Sequence, residues 1–96
     1  MARISVAPSA RDELVHLIAF LNLPGDTRAR VRARIRPLAE APERGAPLGG
    51  RWVSFRFILG PWPWMLIVYS YDADADQVSV VTIQDARRAN AATAGG

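Results

Sequence analysis

The 96-residue chain contains no cysteine and no lysine, and its only histidine is His16. Without cysteine there is no disulfide framework, no zinc site built on thiolates and no thiol nucleophile. A cytoplasmic location fits that composition. No apolar run reaches the roughly 18 residues of a membrane span, and the opening MARISVAPSARDE lacks the apolar core of a signal peptide. Serine–histidine–acid arrangements, glycine-rich phosphate loops and paired-histidine zinc motifs are also missing. His16 lies mid-helix, one turn after Asp12, without the partners that a general base or metal ligand needs, so a surface histidine is expected. Neither metal nor cofactor is expected.

Half of the residues are apolar, enough for one globular domain over 1–96. All twelve basic residues are arginine. Eight of them (28, 30, 32, 34, 36, 44, 51 and 56) fall between Thr27 and Arg56 against only Glu40 and Glu43, a local net charge of +6. Arginine in place of lysine is also what a GC-rich genome produces, so placement carries more than type. Cations gathered in the middle third favour a polyanionic or acidic partner.

Hydrophobic periodicity divides the chain into strands and helices. Residues 2–7 alternate as a half-buried strand. Pro8 opens a helix whose Ala10, Leu14, Leu17, Ile18 and Leu21 share a face, and NLPGDT (22–27) is a turn. Asp26 or Thr27 can cap a second helix running to about Ala41, with Val31, Ile35 and Leu38 as its apolar stripe. Arg28, Arg32 and Arg36 flank that stripe on one side, Arg30 and Arg34 on the other. PERGAPLGG (42–50) is loop. Strands are then predicted over about 51–58, 64–71 and 77–84, joined by short hairpin connections. The expected fold is α+β, a small antiparallel sheet packed on a two-helix hairpin in the order β-α-α-β-β-β. Residues 91–96 read as a flexible tail.

In strand 51–58, period two puts Val53, Phe55 and Phe57 on one face and Trp52, Ser54 and Arg56 on the other. If the helices cover the phenylalanines, Arg56 and Trp52 look out from the open face as a binding surface; otherwise the arginine stem simply covers apolar surface. In GPWPW (60–64), Trp62 and Trp64 suit base stacking, an interface anchor or the edge of a core equally well. DADAD (72–76) resembles the start of a calcium loop, but the sixth and twelfth positions hold Gln77 and Ile83. A polar hairpin turn is the better reading. The last strand runs into Asp85-Ala86-Arg87-Arg88, which aims two cations from a rigid strand end.

The succession of an initial strand, APSARDEL opening a helix, a second helix, APERGAPLGG, an arginine-bearing strand, WMLIVYSYDAD and VSVVTIQDARRAN resembles the RelE/ParE superfamily of toxins from type II toxin–antitoxin systems. The likeness spans about residues 3–90. It implies a growth-inhibiting toxin, of the kind that also serves plasmid stabilisation, neutralised by an antitoxin whose C-terminal segment wraps around it. RelE-like members cut messenger RNA in the ribosomal A site and ParE-like members inhibit DNA gyrase, so ribosome and mRNA or gyrase is the implied target. For RNA cleavage the resemblance puts forward Arg56 and Arg87 as catalytic cations and Arg88 as a further terminal cation. With the strand, hairpin and helix patterns above, Arg51, Trp52, Trp62, Trp64 and Arg88 are the expected target contacts and Arg28, Arg32 and Arg36 the expected antitoxin contacts. The match is incomplete. Leu66 stands where RelE-like members have an arginine, Asp85 where some relatives have histidine, and ANAATAGG has no tyrosine. Three readings therefore stay open: a ribosome-dependent mRNA endonuclease with an incomplete site, a gyrase-directed toxin, and an inactive homologue serving as an antitoxin-binding or regulatory module.

Overall fold

A computed structural model describes residues 1–94; the last two residues of the expected tail, 95 and 96, lie outside the described residues. Strand β1 (Arg3–Val6) leads through Ala7 into α1 (Pro8–Leu21), where Pro8 sits in the first turn and needs no N–H partner. Asn22, with φ 51°, ends the helix in the left-handed region, its N–H donating to the Ile18 carbonyl. Helix α2 covers Thr27–Ile35. Neither candidate cap acts as one: Asp26 makes no capping bond, and the buried Thr27 hydroxyl donates back to the Pro24 carbonyl at 2.6 Å.

The α-helix expected to reach Ala41 stops at Ile35 and tightens into a 3₁₀ turn over Arg36–Ala39. Pro37 causes this, since it removes an N–H and disfavours helical geometry before it. A two-residue strand β2 (Ala46–Pro47), unforeseen in the sequence, follows the loop; β3 (Arg56–Leu59), β4 (Met65–Asp72) and β5 (Gln77–Asp85) complete the sheet. The strand predicted over 51–58 is thus cut to its second half. Arg51 and Trp52 lie in a 3₁₀ turn over Gly50–Trp52, opened by Gly50 at φ +61°.

The sheet order is β1-β5-β4-β3-β2. All pairings are antiparallel except β1 with β5, which run parallel with Ile4 opposite Val78 and Val6 opposite Val80. The sheet is therefore mixed, not antiparallel, because β1 meets β5 only after the chain has passed through both helices. A bulge at Val68/Tyr69 shifts the β4–β5 register. Beyond Val80, β5 has no strand on its β1 side among the described residues. There α1 substitutes: Ser9 Oγ donates to the Val81 carbonyl, and the Glu13 carboxylate accepts from the Ile83 N–H and the Thr82 hydroxyl.

Both sheet faces are apolar. Leu14 and Leu17 of α1 and Val31 and Ile35 of α2 bury Met65, Ile67, Tyr69, Val78, Val80 and Ile83. On the opposite face, Leu66 and Val68 are buried under Leu48, Ala91 and Ala92, with Trp52, Phe55 and Phe57 packed alongside. The phenylalanines thus face away from the helices, contrary to the condition that would have exposed Arg56. Residues 91 and 92, placed by the sequence in a flexible tail, are 6% and 8% exposed, and the Ala92 N–H donates to Gln84 Oε1 at 2.8 Å. The DADAD segment is a hairpin turn. Asp72 Oδ1 accepts the N–H groups of Asp74 and Ala75, and Asp76 takes a left-handed φ of 50°.

Candidate functional site

Three arrangements gather the residues singled out in the sequence. The first is a groove of 570 Å³ between α1 and α2, floored by Ile4, Val6, Leu14, Val31 and Ile35. Arg28, Arg32 and Arg36 line its wall on the α2 side and Arg11 comes from α1. All four arginines are exposed, and the one ion pair among the described residues is elsewhere, between Arg87 and Asp85. Their shared side follows from helical geometry: 28 and 32 are one turn apart, and the 3₁₀ turn carries 36 onward along the same flank. An apolar floor under an unpaired cationic rim fits an amphipathic segment with acidic flanks.

The second arrangement contains Arg56. It opens β3, paired with Pro47 and Tyr69, so its side chain lies on the helix side of the sheet. Its Nη1 donates to the Gly45 carbonyl at 2.8 Å and the Glu43 carbonyl at 3.2 Å. Tyr69, fully buried, donates to the Pro42 carbonyl at 2.7 Å and accepts the Gly45 N–H at 2.8 Å. Burial raises the Tyr69 phenol above its ordinary value, against the opposing effects of the Gly45 N–H and Arg56. Arg56 and Tyr69 thus staple the 42–46 loop to the sheet.

The third lies at the other end of β4. Trp62 and Trp64 stack with centroids 5.9 Å apart and planes 15° from parallel. The Arg30 guanidinium sits over the Trp62 ring and that of Arg87 over the Trp64 ring, each 4.8 Å from the ring centroid. The Asp85 carboxylate grips Arg87 at Nε and Nη2, at 2.9 and 2.8 Å. That bidentate contact holds the Asp85 carboxyl below its usual range and raises the guanidinium. Both tryptophans are half-buried against the helix-side core, so their ring faces are engaged by neighbours rather than open to a base.

The proposed catalytic pair is not brought together. Arg56 aligns with Tyr69, and Asp85 with Met65 four residues earlier on β4, a separation of about 13 Å along the strand. Arg51 is exposed beside Trp52, which meets Phe55 edge-on rather than pairing with Arg56. Arg88 borders a 400 Å³ cleft with His16 and Asp12; His16 is exposed and stacks on Phe20. Leu66 is 2% exposed beneath the tail. Sequence reasoning missed the Arg30–Trp62 contact. Its signals were the position of Arg30 on the flank opposite Arg28 and a Trp-x-Trp spacing within one turn. The Tyr69–Gly45 staple has no local signal, because its partners are 24 residues apart.

No family model and no curated protein matches the chain. Solved structures do. A metal-bound toxin from Helicobacter pylori superposes with TM-score 0.68 at 20% identity, covering 88% of this chain and 94% of that one. The ParDE toxin–antitoxin system of P. aeruginosa gives 0.65 at 12% identity, covering 88% and 96%. The intact RelBE toxin–antitoxin complex of E. coli gives 0.61 at 16%, covering 92% and 100%. The resemblance read from the sequence is therefore matched in three dimensions: the chain has the fold of the RelE and ParE toxins.

Proposed function

We propose that this chain is the toxin partner of a two-protein toxin–antitoxin pair, and that an acidic, amphipathic segment of the antitoxin occupies the groove between α1 and α2. The carrying observation is the groove itself, in which Arg11, Arg28, Arg32 and Arg36 rim an apolar floor in a chain with the RelE/ParE toxin fold. Two solved structures of that fold come from toxin–antitoxin systems, which supports a partner of the same kind here.

Toward its target the geometry favours binding over RNA cleavage. Arg56 is engaged by two loop carbonyls and Arg87 by Asp85 and an indole. A cation that stabilises a developing phosphorane must be preorganised toward the reacting phosphate, not toward groups of its own chain. The sheet face around Leu66 is apolar and covered. These features support a toxin that disables its target by contact, as a gyrase-directed toxin does.

Tightly repressed expression in bacteria, followed by pulse-labelling of protein and DNA synthesis in the first minutes, tests the reading. Early loss of DNA synthesis is the expected outcome. Collapse of protein synthesis first, with cuts in ribosome-bound mRNA, would overturn the binding mechanism. A folded, well-expressed chain that changed neither would leave an inactive, antitoxin-binding homologue.

A further inference from the structure

Helix α2 has two working flanks. Arg28, Arg32 and Arg36 line the proposed partner groove, and on the other flank the Arg30 guanidinium sits over Trp62, 4.8 Å from its centroid. From Arg30 the contacts continue without a gap through Trp62 and Trp64 to Arg87, at 4.8, 5.9 and 4.8 Å. Two backbone bonds fix the same layer. The Met65 N–H donates to the Trp62 carbonyl at 3.0 Å, and the Ala86 N–H to the Trp64 carbonyl at 2.7 Å. Asp85 then holds Arg87 bidentately, and Arg88 is the next residue. Near-parallel, offset groups in a continuous run of contacts transmit displacement, because moving an inner ring forfeits contact with both of its neighbours.

We propose that this four-layer ladder couples the groove to the C-terminal turn. A partner seated against one flank of α2 shifts Arg30 on the other, and the ladder carries that shift to Arg87 and thus to the presentation of Arg88. The inference rests on the groove being the partner site. Coupling of this kind is reciprocal: a change at Arg87 alters affinity in the groove by the same factor as groove occupancy alters the state of Arg87.

The three tryptophans give three indole N–H resonances, which allow each layer to be watched in the ¹⁵N-labelled full chain. Arg30→Ala should move the Trp64 resonance as well as that of its neighbour Trp62, and Arg87→Ala should move Trp62 as well as Trp64. A shift confined to the adjacent ring in both variants overturns the ladder. The second arm titrates a synthetic amphipathic peptide with leucines at i, i+3, i+4 and i+7 and glutamates on its flanks. Binding should shift both ladder indoles while leaving Trp52 in place, and Arg87→Ala should change the peptide's Kd at least threefold. Binding with unmoved indoles and an unchanged Kd overturns the coupling. Failure of the peptide to bind, with the indoles still responding to both substitutions, rejects the groove as the partner site and with it the link from groove to turn.

Discussion

Gly45 is the residue whose side chain matters by its absence. A Cβ there would lie 2.6 Å from the Tyr69 hydroxyl and 2.7 Å from the Phe57 carbonyl, both inside contact distance. Gly45→Ala should therefore destabilise the fold by about 1–3 kcal/mol, as overpacking does, read as a lower urea midpoint at unchanged slope. A midpoint equal to wild type would show that the staple yields without cost. Asp85 gives the corresponding pH argument. Its folded-state pKa lies below the unfolded value because Arg87 holds the carboxylate. Its contribution is therefore complete above about pH 5 and is lost as pH falls through the folded pKa. Thermal unfolding of wild type and Asp85→Asn from neutral to acid pH should give curves that converge toward the acid end. A gap that stays constant would mean that the pair contributes nothing by ionisation. The arginine–carboxylate adjacency in Asp85-Ala86-Arg87 was legible in the sequence; its use in clamping a guanidinium onto Trp64 was not, because that ring comes from another turn.

At the scale of elements, the arginine run in TRARVRARIR decides between strand and helix, and α2 is a helix over Thr27–Ile35. Local periodicity sufficed for α1, β4 and β5 and for α2 as far as Ile35, since each has a continuous apolar stripe or alternation to display; beyond Ile35 the stripe continues through Leu38 but Pro37 ends the α-helix. Periodicity failed over 51–58. The alternation of Val53, Phe55 and Phe57 is present, yet Gly49-Gly50 upstream permits a left-handed turn and the chain forms a 3₁₀ turn before entering β3. Within β3 the period of two holds and separates Arg56 from Phe57, but the helices cover the Arg56 side, and Trp52, drawn into the turn, packs with Phe55 instead of beside Arg56. Helical spacing put Arg28, Arg32 and Arg36 on one flank of the apolar stripe, and the structure sets them on one groove wall. Reversing two of the three, Arg28→Glu with Arg32→Glu, should weaken an acidic amphipathic partner by at least tenfold while leaving the melting temperature within a few degrees, because both residues are exposed. Unchanged affinity would remove the rim from the partner site.

Across the whole molecule, the sheet carries a core on each side: the helix pair covers one face, and the loop around Leu48 with the segment through Ala92 covers the other. The helix-side core could be anticipated from amphipathic helices alone. The second could not, because Ala91 and Ala92 look like tail in sequence and become interior only where Gln84 and the Leu66–Val68 surface receive them. Parallel pairing of β1 with β5 was equally hidden, since no turn joins strands separated by nearly the whole chain.

That pairing stops at Val80 and, among the described residues, leaves the rest of β5 with β4 on one side and no strand on the other, a place where two copies of a chain could stitch their sheets together. Ser9 and Glu13 occupy this unfinished border with side-chain oxygens, and Glu13 adds a negative charge that an approaching strand would have to displace. One carboxylate on α1 thus acts as a selvedge for the sheet, finishing with a side chain the border that a strand would otherwise extend.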